Sequence, residues 1–280
     1  MGSSGSGAGA PDRLEQPTAG KPAVALQMYT MRKQMAADAM GALAEVAAAG
    51  YGAIELVGYG NATPDAVRTQ ASQLGLRVLS AHVPHEELDL RLDEVIDELR
   101  GMGASYLVVQ QARPQDWESA ATVRRLAEQL NTWGERCRRG GLALGYHGYH
   151  PIELEFAPLN GGSMYDLMVA ETDPGLVDLQ IDTYWLHYVG RSPVEALRQY
   201  AGRVPTLHVK DSVGGQSAGD TPIGDGVIPW PEVLAAARVA GTNWLIVEQE
   251  DEPEFAGRDI RRSLHYLEDL LASTPGDEVL

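Results

Sequence analysis

Between Ala23 and Leu271, short runs rich in valine, isoleucine and leucine alternate with longer amphipathic or alanine-rich stretches, and no Pro/Gly/Ser linker interrupts the series. The spacing predicts strands at Val24–Met28, Ala53–Val57, Arg77–His82, Tyr106–Gln110, Leu142–His147, Val177–Asp182, Val204–Val209 and Trp244–Glu248. Helices are predicted around Ala36–Ala49, Pro64–Leu74, Leu90–Met102, Trp117–Arg139, Tyr165–Glu171, Pro193–Tyr200, Pro231–Ala240 and Arg258–Ala272. Gly50, Gly75, Gly103, Gly140 and Gly241 each follow a helical run and precede a strand, where a left-handed residue ends the helix without steric cost. Eight strand-then-helix units predict a single α/β domain closed as a parallel (β/α)8 barrel. The rival, an open doubly wound sheet, calls for a glycine-rich phosphate turn after its first strand, where Met28-Tyr29-Thr30-Met31-Arg32 stands.

Length agrees with one barrel. Residues 21–275 are assigned to it, and residues 1–20, rich in Gly, Ser and Ala, are read as a disordered, flexible leader or tag-like tail outside the catalytic domain. The 280 residues carry 39 acidic and 22 basic side chains, a formal net charge of -17 that repels phosphate backbones and anionic lipid. Nucleic acid and membrane are therefore not expected partners. A single cysteine, Cys137, closes no intrachain disulfide, and no run approaches the ~20 apolar residues of a membrane span, so the expected compartment is the cytoplasm. Cys137, Asp38, Asp65 and Arg124 are assigned to solvated helix faces or loops.

Strand side chains alternate between barrel lumen and helix layer. With Leu207 and Val209 outward, Thr206, His208 and Lys210 point inward; with Leu245 and Val247 outward, Trp244, Ile246 and Glu248 point inward. Asp178, Gln180 and Asp182 share the inward face of the sixth strand, and Ala143, Gly145 and His147 that of the fifth. The same register turns Gln27, Glu55, His82 and Gln110 inward. Every strand thus ends in a polar inward residue at the barrel's C-terminal face, where active sites of such folds are built. Unpaired buried charges cost several kcal/mol each, so the set must pair, meet solvent or bind a metal. Asp182, His208 and Glu248, at the ends of consecutive strands, form a mixed O/N shell for a divalent ion.

Motifs LQMYTMR (26–32), GYGAIEL (50–56), LGYHGYHPIELEF (144–156), QIDTYW (180–185), LHVKD (207–211), GDGVIPW (224–230) and WLIVEQE (244–250) carry a resemblance. The chain resembles the xylose-isomerase-like sugar phosphate isomerase/epimerase superfamily of TIM barrels over nearly the whole domain. That resemblance implies one divalent ion, expected to be Mn2+ with Co2+, Mg2+ or Zn2+ compatible, held by two glutamates, an aspartate and a histidine. Carried over by motif, these are Asp182, His208, Glu248 and a fifth-strand glutamate. Against the family's pattern two residues are inserted beside the last; Glu155, next to Phe156, is the best match, with Glu153 and His147 as rivals.

The implied chemistry is metal-assisted proton abstraction beside a sugar carbonyl through an enediolate. Glu155 and Glu248 are the candidate acid/base pair, with His147, His150, His82 and Lys210 orienting hydroxyls or stabilising an oxyanion. Glu55, His82, Gln110 and Trp185 are candidate substrate contacts, although Glu55 has the alternative of pairing with Lys210 or Arg32. Tyr29, Tyr59, Trp185, Tyr188 and Trp230 are candidates for stacking on a sugar face. Proton return decides between isomerase and epimerase, and loss of a β-leaving group gives a lyase or dehydratase, including inosose dehydration and 3-oxo-glycoside cleavage. No clustered basic residues or glycine-rich cradle suggest a phosphate, so an uncharged sugar or keto-sugar is the expected substrate. A non-catalytic sugar-binding barrel and an AP-endonuclease-like nuclease are the competing classes, and homo-oligomerisation is compatible with the fold.

Overall fold

In the computed structural model, which describes residues 21–148, 153, 163–215, 219–251 and 255–273, the barrel strands are Ala23–Gln27, Ala53–Leu56, Arg77–Val83, Tyr106–Val109, Ala143–Gly148, Val177–Asp182, Thr206–Val209 and Trp244–Val247. Each pairs in parallel with its neighbours, and the first closes on the last through Ala23↔Trp244 to Leu26↔Val247. The result is the expected (β/α)8 TIM barrel. The sequence dictates two apolar layers. Ala25, Ala53, Leu79 and Ile246, with Tyr106 and Trp244 against them, fill the lower lumen. Leu26, Ile54, Leu56, Leu107, Tyr146, Leu179, Ile181, Leu207 and Val247 face out to the helices. Each fully buried leucine, isoleucine or valine contributes about 1.5–3 kcal/mol by leaving water.

Alternation holds on seven strands and slips on the third. Its pairing with the second strand runs Ile54↔Val78 and then Glu55↔Ser80, so Leu79 is an extra, bulged residue. Val78 consequently packs outward while both Leu79 and Ser80 serve the lumen.

Helices Arg32–Ala49, Pro64–Gln73, His85–Gly101, Ala120–Arg139, Met164–Glu171, Pro193–Gln199, Trp230–Ala240 and Ala256–Ser273 surround the strands. The expected left-handed cap at Gly140 is displaced by one residue: Gly140 stays right-handed (φ -78°) and Gly141 takes φ 84°. In Ala120–Arg139 the buried stripe Val123, Leu126, Ala127, Leu130, Gly134 and Cys137 follows helical spacing. Cys137 therefore belongs to the core and not to a solvated face, because its charged neighbours Arg136 and Arg138 occupy other sides of the helix. A short helix the sequence pattern missed, Thr183–Tyr188, starts directly at the end of the sixth strand. The expected tail, residues 1–20, lies outside the described residues.

Candidate metal centre

Strand register gathers the polar strand ends. Asp182 is the register partner of His208, His208 of Ile246, and His147 of Gln180; Gln27 pairs with Glu55 and Glu55 with Ser80. Glu248 follows Ile246 by two positions and so shares its inward side. The Nδ1 of His208 lies 3.2 Å from Glu248 Oε2 and 3.8 Å from Asp182 Oδ2. Its other nitrogen, Nε2, lies 2.7 Å from Glu55 Oε1.

Two buried atoms there have no hydrogen-bond partner. Asp182 Oδ1 accepts the Trp185 backbone N–H at 3.0 Å and so caps the Thr183–Tyr188 helix, which leaves Oδ2 unpaired. His147 Nδ1 donates to the Gln110 carbonyl at 3.2 Å, which leaves Nε2 unpaired. An unsatisfied buried polar atom costs about 1–3 kcal/mol, so two in one place call for a ligand. One donor atom from each of His147, Asp182 and His208 falls within a 4.8 Å cluster, and these oxygen and nitrogen donors fit a divalent transition ion. A second trio, Glu55, His82 and His208, meets the same distance, but its members already satisfy one another.

The electrostatics reinforce this division. Burial opposes ionisation of Glu55, but His82 and His208 outweigh it and hold the carboxyl well below its ordinary value. Burial likewise opposes a charged His208, and the carboxylates of Asp182, Glu248 and Glu55 raise its pKa above the ordinary histidine value, so an ion binding at Nδ1 takes the place of a proton there. Burial, with the charges of His208 and His82, drives His147 well below the usual histidine range, so its ring is neutral with a free lone pair. Glu248 is buried too, but Lys210 and His208 hold it ionised.

A family profile described as xylose isomerase-like TIM barrel matches residues 43–270. The chain belongs to this family. An inosose dehydratase of Geobacillus kaustophilus is 27% identical over 253 residues, covering 76% of this chain and 80% of its own. A crystal structure of a sugar phosphate isomerase/epimerase from Parabacteroides distasonis superposes with a TM-score of 0.73 at 25% identity, covering 94% and 98% of the two chains. A structure of IOLI protein described with a bound zinc atom has a TM-score of 0.68 at 15% identity, covering 92% and 100%, and shares the fold.

Within this xylose isomerase-like barrel, Lys210 stands beside the centre. Its ammonium pairs with Glu250, lies 3.7 Å from Asp220 and 4.0 Å from Glu248, and sits 5.0 and 5.3 Å from the rings of Tyr184 and Trp185. Burial works against the charge, but these carboxylates hold the ammonium protonated. Asp220 and Glu250 carried no signal in the strand pattern, since both lie outside the barrel strands. A two-residue ribbon, Asp211–Ser212 with Asp220–Thr221, brings Asp220 over the mouth, where it accepts the Glu250 and Asp251 backbone N–H groups. Burial pushes its carboxyl up to about 6.

Several expected contacts are reassigned. Glu55 is fully buried, its oxygens accept from Gln27, Ser80, Gln180 and His208 with His82 Nε2 3.0 Å away, and it pairs with neither Lys210 nor Arg32. His82 is tied to Gln180 at 2.6 Å. Gln110 contributes its backbone carbonyl to His147. Trp185 and Tyr188 form an aromatic rim with Tyr184, whereas Tyr59 bonds Glu98 and Trp230 is buried with its indole N–H on Asp211. Glu153 accepts from Tyr146, whose ring packs in the helix layer, so Glu153 is engaged away from the lumen. Glu155 and His150 lie outside the described residues.

Proposed function

We propose that the chain is a divalent-metal-dependent carbohydrate enzyme, a lyase that removes water from an uncharged keto-polyol of the inosose class. The observation that carries this reading is the convergence of the unpaired Asp182 Oδ2 and His147 Nε2 on the site of His208 Nδ1 and Glu248. Asp182, His208 and Glu248 would hold the ion, with His147 as fourth donor; Mn2+ is the expected ion, and the mixed shell also accepts Zn2+ or Co2+. The bound ion supplies Lewis-acid polarisation of a substrate carbonyl. Glu248, ionised beside Lys210, takes the proton from the carbon next to that carbonyl. Lys210, kept cationic by its carboxylates, donates a hydrogen bond to the negative charge that develops on the substrate oxygen. The C–H pair becomes a C=C bond as the neighbouring C–O bond breaks, and the departing hydroxyl leaves as water with a proton from an acid, the role assigned to Glu155. The Tyr184, Trp185 and Tyr188 rim offers ring faces to an apolar sugar surface.

The preference for dehydration rests on the curated relatives: seven inosose dehydratases at 25–27% identity match over about three quarters of this chain. A sugar isomerase or epimerase, which returns the same proton to carbon, is the second reading, favoured by the Parabacteroides distasonis neighbour. Among the described residues no helix is long and apolar enough to cross a membrane. The test is incubation of the Mn2+-loaded protein with an inosose, ketoses and 3-oxo-glucosides in D2O. Water loss with solvent-derived deuterium restricted to the inosose is expected. Deuterium wash-in without dehydration transfers the assignment to isomerase/epimerase, and neither with any substrate rejects both.

A further inference from the structure

The wall behind the candidate metal centre is a continuous polar network spanning five strands. Glu55 is at its hub. Oε1 receives His208 Nε2 at 2.7 Å and Gln27 Nε2 at 2.9 Å, with His82 Nε2 3.0 Å away; Oε2 receives Ser80 Oγ at 2.6 Å and Gln180 Nε2 at 2.8 Å. Gln180 in turn bonds His82 and Thr206. The His82 and His208 rings stack nearly parallel, 5.1 Å apart and 3° between planes, with both Nε2 atoms within 3.0 Å of the same Glu55 oxygen. Gln27 and Ser80 come from the two flanking strands and Gln180 and His208 from across the lumen, and the bulge at Leu79 is what brings Ser80 into phase with Glu55.

Glu55 has no exposure, and both of its oxygens are engaged by side chains of the protein. The carboxylate can only accept, which requires a proton on His208 Nε2. In a neutral imidazole that leaves Nδ1 as the free lone pair, and Nδ1 is the nitrogen beside Glu248 and Asp182. We propose that Glu55 is a positioning residue that fixes the tautomer and ring orientation of His208 and thereby sets the affinity of the centre for its ion; this rests on the metal reading given above. Outer carboxylates of this kind raise ligand basicity, and their loss typically costs about 10–100-fold in metal affinity.

The test is titration of the metal-free protein with Zn2+ and Mn2+ by calorimetry, alongside Glu55→Gln and Ser80→Ala. Glu55→Gln is expected to bind about 10–100-fold more weakly. Ser80→Ala, which removes a bond to Oε2 but leaves the His208 contact, is expected to bind within about threefold of wild type. Equal affinity in wild type and folded Glu55→Gln overturns the proposal while leaving the metal reading intact. No binding by wild type overturns both. Should Glu55→Gln fail to fold, long-range 15N correlation spectra of the Zn2+-loaded wild type decide the matter without a variant. A proton on His208 Nε2 is the expected signature, and a proton on Nδ1 overturns the proposal.

Discussion

Substituting Asp211 by asparagine probes how the mouth of the barrel is held. Asp211 is fully buried, and its carboxylate accepts five N–H groups: Ser212 and Ile228 on Oδ1, Gly224, Gly226 and the Trp230 indole on Oδ2, at 2.7–3.2 Å. It is the post that ties the GDGVIPW loop to the end of the seventh strand. Asparagine retains the shape but turns one oxygen into an NH2 donor. In the cheaper orientation the amide replaces Oδ1 and strands Ser212 N and Ile228 N. Each stranded donor costs about 1–3 kcal/mol, and the three surviving bonds lose their charge assistance. Together these give a destabilisation of about 3–5 kcal/mol, which for a chain this size lowers Tm by roughly 6–20 °C. Thermal melts followed by circular dichroism measure the shift, and hydrogen exchange at Gly224, Gly226 and Ile228 shows whether the loop opens first. Asp225→Asn, at a surface pair with Arg262, is the control and should shift Tm by less than about 2 °C. An Asp211→Asn melt within about 2 °C of wild type refutes the reasoning.

Gly134→Ala sets propensity against packing: alanine gains about 1 kcal/mol of helix propensity, but its Cβ would meet the Leu176 carbonyl oxygen at 2.3 Å. Because that obstacle is backbone, net destabilisation of about 1–2 kcal/mol is expected in urea unfolding, and a stabilised variant contradicts the packing argument. Burial pushes the Cys137 thiol up to about 12, so iodoacetamide at neutral pH should label it only after denaturation, as mass spectrometry of native and unfolded samples will show. His85, buried against Trp133, has its pKa lowered first by burial and then by Arg113. The unfolded state then binds the extra proton, so stability from this group is present above about pH 6.5 and is lost as pH falls from there through the depressed folded value. Urea midpoints at pH 7.5 and 5.5 should therefore differ more in wild type than in His85→Gln, and equal differences dismiss the role of His85.

The barrel was legible because burial on two sides of a strand imposes alternation that needs no tertiary information. His208, Asp182, Glu248 and His147 follow from that period alone, and register brings their ends together. What the period does not encode is where a chain leaves it. The bulge at Leu79 and the helix at Thr183–Tyr188 are set by contacts across the fold, the latter by the Asp182 cap. Glu55 reads as a free carboxylate until its four donors, Gln27, Ser80, Gln180 and His208, drawn from four separate strands, are assembled around it. Cys137 was misplaced because its sequence neighbours are charged, although helical spacing puts it on the stripe of Leu130 and Gly134. Asp220 and Glu250 reach Lys210 from outside the barrel strands, where the lumen-to-helix alternation does not extend.

The central claim is that the unpaired oxygen and nitrogen atoms at the strand ends form a metal centre, and metal content tests it most directly. Inductively coupled plasma mass spectrometry of protein exposed to Mn2+ or Zn2+ and then desalted should find close to one ion per wild-type chain. Asp182→Asn and His208→Gln, folded by circular dichroism, should lose it, while Lys210→Ala should keep it. A wild type without any bound ion, or an ion retained in full by both Asp182→Asn and His208→Gln, contradicts the account.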